Sequence, residues 1–121
     1  MLGRRTADKG NNMIIYGLST CAVCQRARKD LEAAGKNVDF RDVRSDPLSE
    51  AELAELISEF GDRLVDRKSN DYRGLNDWLK NSEAEAQIEA QPKVMARPVI
   101  RDQDTYYLGW DAAVQSALLP G

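Results

Sequence analysis

Cys21 and Cys24 are the only cysteines among 121 residues, and only Ala22 and Val23 lie between them. An apolar run with a glycine, Met13-Ile14-Ile15-Tyr16-Gly17, leads into the pair, and a basic, helix-prone stretch from Gln25 to Leu31 follows it. A Cys-x-x-Cys at a strand-to-helix junction in a small α/β chain reads as a redox motif. The thiolate is the reactive form of cysteine, and the partial positive charge of a helix N-terminus favours it. Cys21 is expected at that terminus, with Arg26 and Arg28 nearby. Cys24, one helical turn on, is then placed to attack a mixed species on Cys21 and close a disulfide.

Three other readings of the pair stand beside this one. A structural zinc site needs four ligands, and the chain has no histidine and no third cysteine, so only a site shared between two chains would fit. A stabilising disulfide gains little from so short a loop. Two buried cysteines can also simply pack as small hydrophobes.

A chain of this length supports one modest core. Its 42% hydrophobic and 31% charged residues fit a soluble globular protein, and a net charge of −3 gives no general pull toward nucleic acid or membrane. No apolar run is long enough to span a bilayer. Residues 1–12 are polar and lack the apolar core of a secretory signal, so they read as a disordered tail or an upstream remnant, with a cytoplasmic domain over 13–121. No bound cofactor and no metal are expected.

The elements that must position the cysteines follow from periodicity. Ile14 to Leu18 reads as a buried strand, Ser19-Thr20 as a turn with Thr20 as helix cap, and Ala22 to Ala34 as a helix with Ala27, Leu31 and Ala34 inward and Gly35 past its end. Val38 to Val43 alternates apolar and polar, which predicts a second strand and a βαβ unit with parallel pairing. Ser49-Glu50-Ala51-Glu52 is a capping box opening a helix with Leu53, Leu56, Ile57 and Phe60 inward. Arg63 to Asn70 is mixed-charge and reads as a loop with a short helical turn. Tyr72, Leu75, Trp78 and Leu79 suggest one short amphipathic helix, with Tyr72 and Trp78 on its apolar face. Ser82 to Ala90 is helix-prone and stops at Pro92, its acidic 83–89 run forming a solvated face. Residues 47–92 thus read as a helical insertion. Pro98 to Arg101 and Thr105 to Leu108 form an antiparallel hairpin. Asp111 caps a last helix with Val114, Ala117 and Leu118 inward, and Trp110 before it reads as a core plug. The order β-α-β, helices, β-β-α predicts an α/β, thioredoxin-like mixed sheet with a helical subdomain between its βαβ and ββα halves.

From about Met13 to Leu119 the chain resembles the arsenate-reductase-like (ArsC) family, which also contains the Spx-type regulators of RNA polymerase. Three segments carry the resemblance: Tyr16-Gly17-Leu18-Ser19-Thr20-Cys21-Ala22-Val23-Cys24-Gln25-Arg26-Ala27, Asp66 to Tyr72, and Ala96-Arg97-Pro98-Val99-Ile100 followed by Leu108-Gly109-Trp110. The resemblance implies that Cys21 is the nucleophile, that Arg67 and Arg97 match two of the three arginines holding the family's oxyanion, and that Pro98 is its cis proline. The third arginine falls where this chain has Gly109-Trp110-Asp111. Arginine suits the oxyanion role because its fork stays charged and grips tetrahedral or planar anions.

The resemblance therefore implies a thiol oxidoreductase acting on a small oxyanion or thiol substrate, with glutathione or glutaredoxin as reductant and Cys24 as a candidate resolving thiol. It equally implies a second class, a redox-switched module binding the RNA polymerase α subunit. A plain glutaredoxin-like glutathione binder is a third reading, and it leaves the helical insertion unexplained.

Overall fold

Strand β1, Asn12–Gly17, lies between two neighbours of opposite sense. The computed structural model describes residues 12–119, so the expected tail over 1–11 lies outside the described residues, while Asn12 already belongs to β1. Helix α1, Ala22–Ala33, returns the chain to β2, Asn37–Asp42, which pairs parallel to β1 from Asn12↔Asn37 to Gly17↔Asp42. Strand β3, Val99–Asp102, pairs antiparallel on the other side of β1, and β4, Thr105–Leu108, closes the hairpin. The order β2-β1-β3-β4 is the thioredoxin-like mixed sheet expected from the sequence.

The chain divides into two compact units. The sheet unit takes the residues up to Asp42 and those from Arg97 onward; the helical unit is Val43–Ala96. In the sheet unit, alternate residues of the strands and one stripe of each helix meet in a core of Met13, Ile15, Ala27, Leu31, Ile100, Val114 and Leu118. Trp110 packs against this core, as a plug should. At the end of α1 the N–H groups of Gly35 and Lys36 return to the carbonyls of Glu32 and Leu31, and Gly35 takes φ +87°. This is the glycine-terminated helix end anticipated from Gly35. The last helix, Ala112–Leu118, is capped by Asp111, whose side chain accepts from the Val114 N–H. Its inward residues are Val114 and Leu118; Ala117 is exposed, because seven residues present only one turn-spaced stripe to the core.

The helical unit opens with α2, Glu50–Phe60, and both halves of the Ser49/Glu52 capping box are formed. A 3₁₀ turn, Gly61–Leu64, follows. The single helix expected around Tyr72 to Leu79 is two one-turn helices, α3 Asn70–Arg73 and α4 Asp77–Lys80. Gly74 ends the first, and the Asn76 side chain caps the second by accepting from the Leu79 N–H. Local capping overrides the weak apolar spacing, and Trp78 is left 74% exposed instead of lining an inner face. Tyr72 is half-buried. Helix α5, Ala84–Ala90, packs on α2 and buries Ala84, Gln87 and Ile88, while Glu83 and Glu89 stay exposed. The final helix of the sheet unit is therefore α6.

Candidate functional site

The cleft in the helical unit, about 250 Å³, is lined by Val43, Pro47, Leu48, Leu53, Ile88 and Pro92 with one carboxylate, Glu89. It holds no nucleophile. The groups able to do covalent chemistry stand instead at the end of β1.

Helix α1 begins at Ala22, which makes Cys21 the N-cap residue, with extended backbone at φ −87° and ψ 120°. Thr20, expected in that role, lies one residue before it and is exposed. The Cys21 N–H donates to the Leu18 carbonyl at 3.0 Å, so the segment from Leu18 closes as a tight turn. Cys21 is half-buried, and Cys24, on the next turn, is 0% exposed. Gly17 explains how Cys24 fits. A Cβ at Gly17 would stand 2.5 Å from the Cys24 sulphur, so only glycine lets the strand approach the helix this closely.

The two thiols differ in their ease of ionisation. Partial burial works to raise Cys21, but the Cys24 backbone N–H, the Cys24 side chain and the Arg97 guanidinium together bring it below its ordinary value of 9.0. The N–H belongs to the first turn of α1, where unpaired amides favour an anion. Cys24 goes the other way. Burial pushes it up to about 12, and the Cys21 sulphur beside it adds to the rise, against the Leu18 N–H and Arg97. One cysteine is poised as a thiolate while its neighbour keeps its proton.

Arg97 supplies the cation, rather than the two arginines that follow the motif. Arg26 turns along α1 to Asp30 at 3.3 Å, and Arg28 turns to Glu32 at 3.4 Å and lies over the Phe40 ring. Their i,i+4 partners draw them toward the C-terminal end of the helix, away from Cys21. The Arg97–Pro98 peptide is cis, and Pro98 is buried. Its carbonyl accepts from the Gly109 N–H at 2.8 Å, and Gly109 takes φ +90°, a conformation that favours glycine. At the position matched to the family's third arginine, the chain thus has a glycine-dependent turn. Next to it, the Trp110 indole donates to Asp30 of α1 at 3.2 Å.

Cys21, Cys24 and Arg97 are therefore brought together in the sheet unit, with Pro98 following Arg97 through the cis bond. Arg67 belongs to the helical unit, exposed in the turn after Val65, which bridges to Met95. Three residues that sequence reasoning passed over also brace the site. Ser19 donates from both its N–H and its hydroxyl to one oxygen of Asp42, each at 2.8 Å, and the Gln25 side-chain amide donates to the Ser19 carbonyl. The parallel register foreshadows the first of these contacts, since Asp42 is the cross-strand partner of Gly17. Among the described residues no three His, Cys, Asp or Glu side chains gather as a metal site. No described helix is long and apolar enough to cross a membrane.

Comparison with known proteins agrees with the resemblance read from the sequence. No protein-family model matches the chain. The chain is 28% identical over 112 residues to the global transcriptional regulator Spx of Listeria monocytogenes, an alignment covering 88% of this chain and 86% of the relative. It is 29% identical over 104 residues to an uncharacterized protein of Haemophilus influenzae, covering 80% and 90%. Among solved structures, the YffB protein superposes with a TM-score of 0.80 at 25% identity, covering 89% of this chain and 99% of that one. An arsenate reductase (ArsC) related protein from Brucella melitensis gives 0.68 at 25% identity, covering 88% and 92%. The structural neighbours are mostly arsenate-reductase-like proteins of thioredoxin-like fold.

Proposed function

We propose that this protein is a thiol-dependent oxidoreductase that uses the Cys21 thiolate as nucleophile, in the manner of glutathione- or glutaredoxin-linked arsenate reductases. The carrying observation is the opposed ionisation of the two thiols: Cys21 is lowered at a helix N-terminus beside Arg97, and Cys24 is held protonated behind it. Such asymmetry selects which sulphur attacks first.

With a disulfide substrate, the Cys21 thiolate attacks one sulphur. A new S–S bond to Cys21 forms as the substrate's own S–S bond breaks, and the electron pair leaves on the departing thiolate, which takes a proton from water. Glutathione can then attack the substrate-derived sulphur and restore the Cys21 thiolate. Alternatively Cys24 gives up its proton and attacks the Cys21 sulphur, expelling the second substrate thiol and leaving a Cys21–Cys24 disulfide that two glutathiones reduce. Once Cys21 is in a mixed disulfide it carries no negative charge, so its part in raising Cys24 disappears and resolution becomes easier. With arsenate, two thiols are oxidised to one disulfide for each arsenate reduced to arsenite, and Arg97 beside Cys21 would hold the oxyanion.

The test is NADPH oxidation coupled through glutathione and glutathione reductase. One arm uses arsenate with glutaredoxin, the other bis(2-hydroxyethyl) disulfide alone, and the Cys21→Ser variant is the control. Turnover in at least one arm that falls to background in the variant is the expected result. Equal turnover in the variant, or none in either arm, would sink the proposal.

A second reading rests on the relatives named global transcriptional regulator Spx. Here a peroxide or disulfide oxidant takes two electrons from Cys21 and Cys24, and the disulfide changes the start of α1 so as to switch binding to the RNA polymerase α subunit. Retention of purified α subunit on immobilised protein should then differ between the oxidised and reduced states. No retention in either state removes this reading.

A further inference from the structure

Ser19 is held at all three of its backbone-linked polar groups. Its N–H and hydroxyl both donate to Asp42 Oδ2, and its carbonyl accepts from the Gln25 side chain. The two partners come from opposite directions. Asp42 is the last residue of β2, fixed in register opposite Gly17. Gln25 is in the first turn of α1, directly after Cys24. The held residue sits inside the Leu18-to-Cys21 turn, which is closed by the Cys21 N–H on the Leu18 carbonyl. The place of the Cys21 sulphur is thus set by a turn that is tied both to the sheet and to the helix it precedes.

We propose that Asp42 and Gln25 are positioning residues, which clamp Ser19 and thereby hold the Cys21 sulphur against the helix N-terminus and Arg97. The inference deepens the thiolate reading above and rests on it. A carboxylate accepting from a backbone N–H and a hydroxyl makes strong, charge-assisted bonds, and its own place is secured by a strand ladder. Sub-ångström drift of a reacting group is enough to lower its reactivity. Asp42 as a bare charge would act in the opposite sense, since a nearby anion disfavours a thiolate. Geometry and charge therefore predict opposite effects when Asp42 is changed, and one experiment separates them.

The measurement is the pH dependence of Cys21 alkylation by iodoacetamide, with the modified residue identified by mass spectrometry. The proteins are the wild type, Asp42→Ala, Asp42→Asn and Gln25→Ala. Asp42→Ala and Gln25→Ala should react at least about threefold more slowly at pH 7, with their profiles displaced to higher pH, because a displaced sulphur has less thiolate. Asp42→Asn keeps an acceptor oxygen without the charge, and its profile should stay close to the wild type. Wild-type profiles in both alanine variants would overturn the clamp. So would faster alkylation in Asp42→Asn, which would show Asp42 acting as a charge. If Asp42→Ala fails to fold, the exposed Gln25→Ala decides alone. An ordinary thiol profile in the wild type itself would instead overturn the reading on which the clamp rests, and that outcome is visible before any variant is made.

Discussion

The two units of this protein handle polar groups in different ways. In the helical unit, several side-chain hydrogen bonds join residues within eight positions of one another: Ser49 with Glu52, Asn76 with Leu79, and Gln87 with the carbonyls of Leu79, Lys80 and Ser82. The sheet unit has local contacts too, such as the Asp111 cap, but two of its side-chain bonds join residues far apart in sequence, Ser19 with Asp42 and Trp110 with Asp30. The charge balance also differs. The helical segment carries seven Lys and Arg against twelve Asp and Glu, a net of −5, while the described residues of the sheet unit carry seven against seven. The contrast teaches that here the reactive group sits where long-range contacts converge. A thiolate gains from partners that cannot move independently.

The largest effect that would sharpen this contrast should appear at alkaline pH. The unfolded Cys24 ionises near 9.0, whereas the folded one keeps its proton to about 12. Between those values the unfolded state binds fewer protons, so stability falls as pH rises. Urea unfolding should show the wild type losing stability relative to Cys24→Ala across that window and not below it. Parallel curves for the two proteins would contradict a sheet unit that holds this thiol neutral.

Next comes Gly17→Ala, which places a Cβ against the Cys24 sulphur. Overpacking of this kind should cost up to about 3 kcal/mol. Combining it with Cys24→Ala should restore most of the loss, a coupling that a double-mutant cycle measures. Strictly additive costs would show that the close approach is not what limits position 17.

Gln87→Ala addresses the other unit. Gln87 is 1% exposed, and its amide donates to three carbonyls around the end of α4. Leaving those acceptors without the donor should cost about 2 kcal/mol. The Cys21 alkylation profile should stay unchanged, and a shifted profile would break the separation of roles between the units. The smallest effect expected is for Trp110→Phe, which keeps an aromatic ring smaller than the indole and removes the bond to Asp30. A loss of about 1 kcal/mol in thermal unfolding is the expected result.

The same contrast explains what was legible in the sequence. The capping box at Ser49 and the cap at Asp111 were readable because both partners lie within one turn. The strands and their order followed from periodicity and loop length. Trp78 was misplaced because apolar spacing over so short a stretch cannot outweigh the caps at Gly74 and Asn76. The cysteines and Arg97 could be named, yet the true source of positive charge at Cys21 could not be read from Arg26 and Arg28, which look adjacent in sequence and pair along the helix. Asp42 carries no motif, and only the strand register brings it to Ser19.

The sheet unit is interrupted by the whole of Val43–Ala96, and this has a consequence for the chain as it is being made. Strand β1 can pair with β2 early, but β3 and Arg97 leave the ribosome only after the helical unit has been synthesised. Until then the nascent Cys21 lacks its guanidinium partner. Its sulphur should gain the Arg97 contribution to its reactivity only when the topology is completed. The order of the elements thus makes the guanidinium beside Cys21 one of the last parts of the site to be put in place.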